Sequence, residues 1–287
     1  MKTIITPKEA SGILEKSIRK NRHISTSNLK YLVDEIKSGK FEYNGESVII
    51  DEDGNLLDGH HRLKACIEAD LPITVELVIG VPRSVMTTID TGKMRSGGDI
   101  LEMKGIKSSK NAATIVREII SKMGLRTRND GAVLFNKAPN REILDFYNAH
   151  NLEINAVNDL SRHLYSSGIG SIIPQGAIGG FLYLMSYIDS NKSIDFMREV
   201  MLGITINQNS NVAIVLRNKL LKAKLSNTIE ISRMAVRQLV LKAFYVYCKN
   251  EDRRNLYLLQ NEVVVYPSID LSTKAPINIS KIESLIR

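Results

Sequence analysis

The chain has 287 residues, 39 Lys and Arg against 31 Asp and Glu, and a formal net charge of +8. With 43% hydrophobic and 24% charged residues it is not a disordered or fibrous chain, and it has room for one large or two ordinary domains. Two cysteines, Cys66 and Cys248, exclude a disulfide framework or a cysteine zinc site, and no apolar run approaches the roughly 20 residues of a membrane span. The segment Met1-Lys2-Thr3-Ile4-Ile5-Thr6-Pro7 lacks a signal-peptide core, so a cytoplasmic protein away from membranes is expected.

In chain order, Thr6-Pro7-Lys8-Glu9 reads as a helix start. Thr6 can cap, Pro7 suits the first helical position and Glu9 can reach back in a capping box. Ala10, Ile13, Leu14 and Ile18 give the helix an apolar face that ends near Asn21. Ser25 or Ser27 caps a second helix, with Leu29, Leu32, Val33 and Ile36 inward and Gly39 closing it. Val48-Ile49-Ile50 is a strand signal, Asp53-Gly54 a hairpin turn, and Leu56-Leu57 a second short strand ending at Asp58. A helix from just past Gly59 runs to about Ala69-Asp70, and Ile73 to Ile79 is a nearly all-apolar strand expected at the centre of a sheet.

Ser84 to Ile89 predicts a short helix, and Asp90-Thr91-Gly92-Lys93-Met94-Arg95-Ser96-Gly97-Gly98 is either a ligand-contacting loop or an interdomain linker. From Asp99 onward strand signals nearly vanish. Helices are expected over 99–103, 109–123, 140–150, 152–164, 174–187, 193–202, 211–225 and 229–248. Arg126 to Gly131 reads as a basic loop, Gly176, Gly179 and Gly180 would permit close helix packing, Val263-Val264-Val265 suggests a terminal strand, and the tail after Pro267 is expected to be loosely attached. The predicted class is α+β: a small domain over 1–98 and a mainly helical domain over 99–287.

Charge follows the same division. Residues 1–98 carry 14 Lys and Arg and 14 Asp and Glu; residues 99–287 carry 25 against 17 and so hold the whole excess. A basic half beside a balanced one invites a nucleic-acid partner, and it also suits mere solubility. The candidate contact surface is Arg217, Lys219, Lys222, Lys224, Arg233 and Arg237, which recur on two predicted helices. A solvated outer face is the alternative.

The chemistry concentrates in Asp58-Gly59-His60-His61-Arg62-Leu63-Lys64-Ala65. A strand, a glycine turn and a helix start present unpartnered backbone N–H groups and the positive end of the helix dipole to an anion. Arg62 can place two hydrogen bonds on one phosphate, and Asp58 can hold a metal or take a proton. The same residues also suit a tight turn with two surface histidines. Adjacent histidines in a loop point apart and seldom share one ion, and none of the five histidines shows a zinc spacing.

The octapeptide resembles the phosphate-binding loop of the ParB/sulfiredoxin fold, and Asp58-Gly59-His60-His61-Arg62 is very similar to the loop of free serine kinases of that fold. Asn21-Arg22-His23-Ile24-Ser25 resembles the first motif of ParB-like proteins from phages and plasmids. Asp90-Thr91-Gly92, with Arg95-Ser96 and Asp99 after it, resembles a segment they carry behind the fold. Leu216-Arg217 and Lys242-Ala243 fit more weakly. In sulfiredoxins a reactive cysteine precedes the His-Arg pair. His60 stands there in this chain, which argues against sulfinic acid chemistry.

The resemblance implies a nucleoside triphosphate, with or without Mg²⁺, held by Arg22, Gly59, His60, His61, Arg62, Asp90, Thr91 and Arg95. The candidate catalytic groups are Asp58, His60, His61 and Glu46, and no metal site is assigned. Three functions follow: a nucleotide-binding protein associated with DNA or a partner, a phosphotransferase with Glu46 or Asp58 as substrate base, and a ParB-like nuclease that would need Asp51, Glu52 and Asp53 clustered on metal ions. A homo-oligomer is compatible with all three.

Overall fold

Thr6 accepts a hydrogen bond from the Glu9 backbone N–H while the Glu9 side chain accepts from Thr6, and Pro7 opens the helix behind them. The computed structural model describes residues 1–17, 24–87, 95–121, 138–167, 173–226, 231–259, 262, 264, 266 and 269–286. Two units divide the chain, Met1–Lys93 and Met94–Arg287, against the boundary at 98 read from the sequence.

The first unit comprises β1 (Lys2–Ile5), α1 (Pro7–Glu15), α2 (Thr26–Lys37), β2 (Ser47–Asp51), β3 (Leu56–Asp58), α3 (His60–Ala69), β4 (Ile73–Val81) and a 3-10 turn over Arg83–Thr87. The sheet order is β1-β4-β2-β3, with β4 antiparallel to β1 and parallel to β2, and β2 antiparallel to β3. β4 is central, as its apolar run requires, and it continues past Gly80 to Val81. Ser25 caps α2 and the Asp53-Gly54 hairpin joins β2 to β3. β1 was not expected: Ile4 and Ile5 pair with Thr74 and Ile73. α1 stops at Glu15, short of Asn21. Ile5, Ala10, Val48, Leu56, Leu63, Ala65, Cys66, Ile73 and Val75 form the core.

Among its described residues the second unit has helices and connecting loops and no strand. α4 (Gly97–Met103), α5 (Ser109–Ile120), α6 (Asn140–Ala149), α7 (Asn151–Ser167), α8 (Gln175–Leu202), α9 (Val212–Leu225), α10 (Arg233–Cys248) and α11 (Ile279–Ile286) surround one apolar core. The two helices expected over 174–187 and 193–202 are present as the two halves of α8, separated by non-helical backbone at Asp189. Asp189 Oδ1 accepts from the Lys192 N–H at 2.9 Å and so caps the second half. A Cβ on Gly176 would collide with Thr114, and one on Gly179 with Ile115, so these glycines let α8 lie against α5.

Two expectations change in this unit. α10 starts at Arg233, capped by Ser232, later than expected. The tail is not loose: Ile269, Ala275 and Ile282 are buried, and Lys281 Nζ meets Asp195 Oδ2 at 2.7 Å. The expected basic loop at 126–131 and Val263 and Val265 lie outside the described residues, and Val264 is not in a strand. No helix among the described residues is long and apolar enough to cross a membrane.

Candidate functional site: the first turn of α3

β3 delivers Asp58, the backbone turns at Gly59, and α3 begins with His60. Gly59 takes φ 105° and ψ 5°, a region closed to side chains, and a Cβ there would lie 2.9 Å from Val48 Cγ2 and 3.2 Å from Val48 Cα. The turn therefore rests directly on β2. No side chain caps the first turn of α3, so the positive end of the helix is left for polar groups other than a cap.

Arg62 stands on this turn with its side chain 12% exposed. Its Nη1 donates to Glu46 Oε2 at 2.6 Å and its Nη2 to Asp58 Oδ2 at 3.0 Å. Glu46 is 65% exposed, so one arm of the fork is held by a solvated carboxylate and the other by the strand that feeds the turn. Both expected substrate bases, Glu46 and Asp58, are partners of Arg62. They set its orientation.

His60 and His61 point apart, as adjacent residues must here. His60 Nε2 lies 2.5 Å from Ser17 Oγ. Ser17 is brought there because the chain leaving α1 is clipped to β3: the Leu56 N–H donates to the Lys16 carbonyl at 3.4 Å, and Ser17 forms an isolated bridge with Leu56. Burial pushes the His60 imidazole below its ordinary pKa; Asp58 opposes this, and His61 adds to it. His61 faces α2 instead, and its Nε2 accepts from the Ser25 N–H at 2.9 Å, which requires a lone pair on that nitrogen. Neither serine was singled out at this turn. The contact needs residues 43 positions apart, and no local spacing signals it.

The other expected site residues are more scattered. Arg22, Asp90 and Thr91 lie outside the described residues. Arg95 is exposed and belongs to the second unit, where its carbonyl accepts from Asn140 Nδ2 at 2.7 Å. Asp51 is buried and accepts from the Asp53 N–H at 3.0 Å and the Asn55 N–H at 2.6 Å. Burial raises its pKa, but the hydrogen bonds from Asn55 and Asp53 and the charge of Arg83 outweigh that, and the net shift is downward. Asp51 thus builds the hairpin. Among the described residues no group of three or more His, Cys, Asp and Glu could hold a metal ion.

The basic surface is smaller than the sequence suggests. Arg217 Nη1 donates to the carbonyls of Val200 at 2.7 Å and Met201 at 2.6 Å, satisfying the end of α8, and burial lowers its pKa. Arg237 Nη2 donates to both oxygens of Glu118 at 2.5 and 2.7 Å. These two arginines serve the fold. Lys219 is half-buried, and Lys222, Lys224 and Arg233 are exposed.

No family model matches the chain, and neither a curated protein nor a solved structure matches it.

Proposed function

We propose that the first turn of α3 binds the phosphates of a nucleoside triphosphate, in a protein of the ParB-like kind that associates with DNA through its helical unit. The observation that carries this is Arg62, part-buried on an uncapped helix start and held in place by two carboxylates, one of them exposed and easily exchanged. A phosphate arriving at this turn would meet backbone N–H groups, the helix dipole and a pre-oriented guanidinium together. Glu46 and Asp58 would face any Mg²⁺ that the nucleotide brings. Lys222, Lys224 and Arg233 are the exposed cations left for a nucleic-acid backbone.

A panel of nucleotides, with and without Mg²⁺, tests the reading by thermal shift, since a ligand at 100 times its dissociation constant stabilises by about 2.7 kcal/mol. Arg62→Ala is expected to cost on the order of 1.5–3 kcal/mol of nucleotide affinity while the chain stays folded. Undiminished affinity in the folded variant would refute the assignment.

A phosphotransferase is the second reading, favoured by one contact: His60, held toward its neutral form by burial, lies beside a hydroxyl. A full chain that binds nucleotide and no DNA at low salt would favour it over the first.

A further inference from the structure

The Ser17–His60 contact is not needed by phosphate binding. An arginine and a helix start suffice for that, yet the chain brings a primary hydroxyl against the imidazole at the head of the same turn. The pairing is held from both sides. Ser17 is fixed by its bridge to Leu56, which is fully buried, and His60 by being the first residue of α3. A hydroxyl at hydrogen-bond distance from an imidazole is the arrangement of an activated oxygen nucleophile. Asp58 favours the charged imidazole, so it would stabilise His60 once a proton is taken up.

We infer that Ser17 is a phosphoryl acceptor, with His60 as its base and a nucleoside triphosphate as donor; this rests on the phosphate-binding reading of the α3 turn. In the step, the Ser17 Oγ–H proton passes to His60 Nε2 as Oγ bonds to the γ-phosphorus. The bond from that phosphorus to the β,γ-bridging oxygen breaks, and the nucleoside diphosphate leaves with the electron pair. His60 then returns its proton to solvent, and nothing is oxidised or reduced. Arg62 and the α3 N–H groups face the charge on the transferring phosphoryl group. The product places a phosphate on Ser17 beside the same turn, where it would occupy the place of incoming nucleotide, so the modification would also limit further binding.

The full chain, dephosphorylated and then incubated with each of the four nucleoside triphosphates and Mg²⁺, is examined by peptide mass spectrometry for phosphate on Ser17, and nucleotide binding is measured calorimetrically on the same sample. Phosphate on Ser17 is expected, with labelling slowed about a hundredfold or more in His60→Gln. Ser17→Ala is expected to lose the label and keep nucleotide binding, and Ser17→Thr, which restores a hydroxyl, to regain labelling. Nucleotide bound with Ser17 unmodified would overturn the inference and leave the phosphate-binding reading standing. Absence of nucleotide binding would overturn both. Labelling of His60→Gln at the unaltered rate would show that the phosphate comes from elsewhere and also overturn the inference.

Discussion

Arg62 in the first unit and Arg237 in the second are both part-buried arginines paired with carboxylates, yet they are placed for different ends. Arg237 closes on both oxygens of one partner, Glu118, which is itself only 17% exposed on its side chain. Arg62 splits its fork between two residues, and Glu46 stands mostly in solvent. A guanidinium fully satisfied by an enclosed partner is part of the fold. One held by a solvent-exposed partner at a helix start is positioned there and, in the proposed function, is the group that takes the phosphate. Arg217 belongs with Arg237, since its Nη1 donates to the carbonyls that end α8. Count and spacing of basic residues do not make this distinction; the partner's exposure does.

The largest effect expected is on the turn that carries Arg62. Gly59→Val forces a β-branched side chain into φ 105° and against Val48, at a cost on the order of 2–4 kcal/mol to the first unit. Chemical denaturation would show it as an early transition. Next is Arg237→Ala, which strands the Glu118 carboxylate in a partly enclosed site and should destabilise the second unit by about 2 kcal/mol. Arg62→Ala, measured beside it, should stay within about 1 kcal/mol of the parent, because its pairs are open to solvent on the Glu46 side. Equal losses would erase the contrast drawn between the two arginines.

Glu46→Gln sharpens the same comparison from the other partner. It loosens one arm of the fork without removing the guanidinium, and nucleotide affinity measured without Mg²⁺ should rise by about two- to fivefold, in line with the modest worth of an exposed pair. A fall in affinity would mean that Glu46 serves the ligand and not the arginine. Smallest in stability is the double change Lys222→Ala with Lys224→Ala, within about 0.5 kcal/mol. If the helical unit contacts DNA there, the slope of log affinity against log salt should flatten by about 2.

Much of the first unit was legible because its signals are local. The Thr6-Pro7-Glu9 cap, the Asp53-Gly54 turn and the Gly59 break each act over a few residues, and each stands where its chemistry requires. β1 was missed because Thr3, Ile4 and Ile5 are too few to show alternation, and their pairing partners lie near residue 75. The break in α8 was legible as those local signals were, since Asp189 caps the second half as it would a separate helix. At the site, the sequence picked out Asp58 to Arg62 and named Glu46 and Asp58 as candidate bases, but did not show that both pair with Arg62. Their engagement by Arg62 depends on β2 and β3 bringing together groups that the chain separates. Ser17 was invisible for the same reason.

α11 packs on α7, and Lys281 pairs with Asp195 while the Asn278 N–H donates to Ser190 Oγ at 2.8 Å, next to the break in α8. These partners precede α11 by more than eighty residues. On the ribosome, α7 and α8 are therefore made and able to collapse while the segment that covers them is still untranslated or inside the exit tunnel. Until residues 278–286 emerge, part of the apolar surface of the second unit remains bare, a window in which a nascent chain is open to chaperone capture or to association with its neighbours.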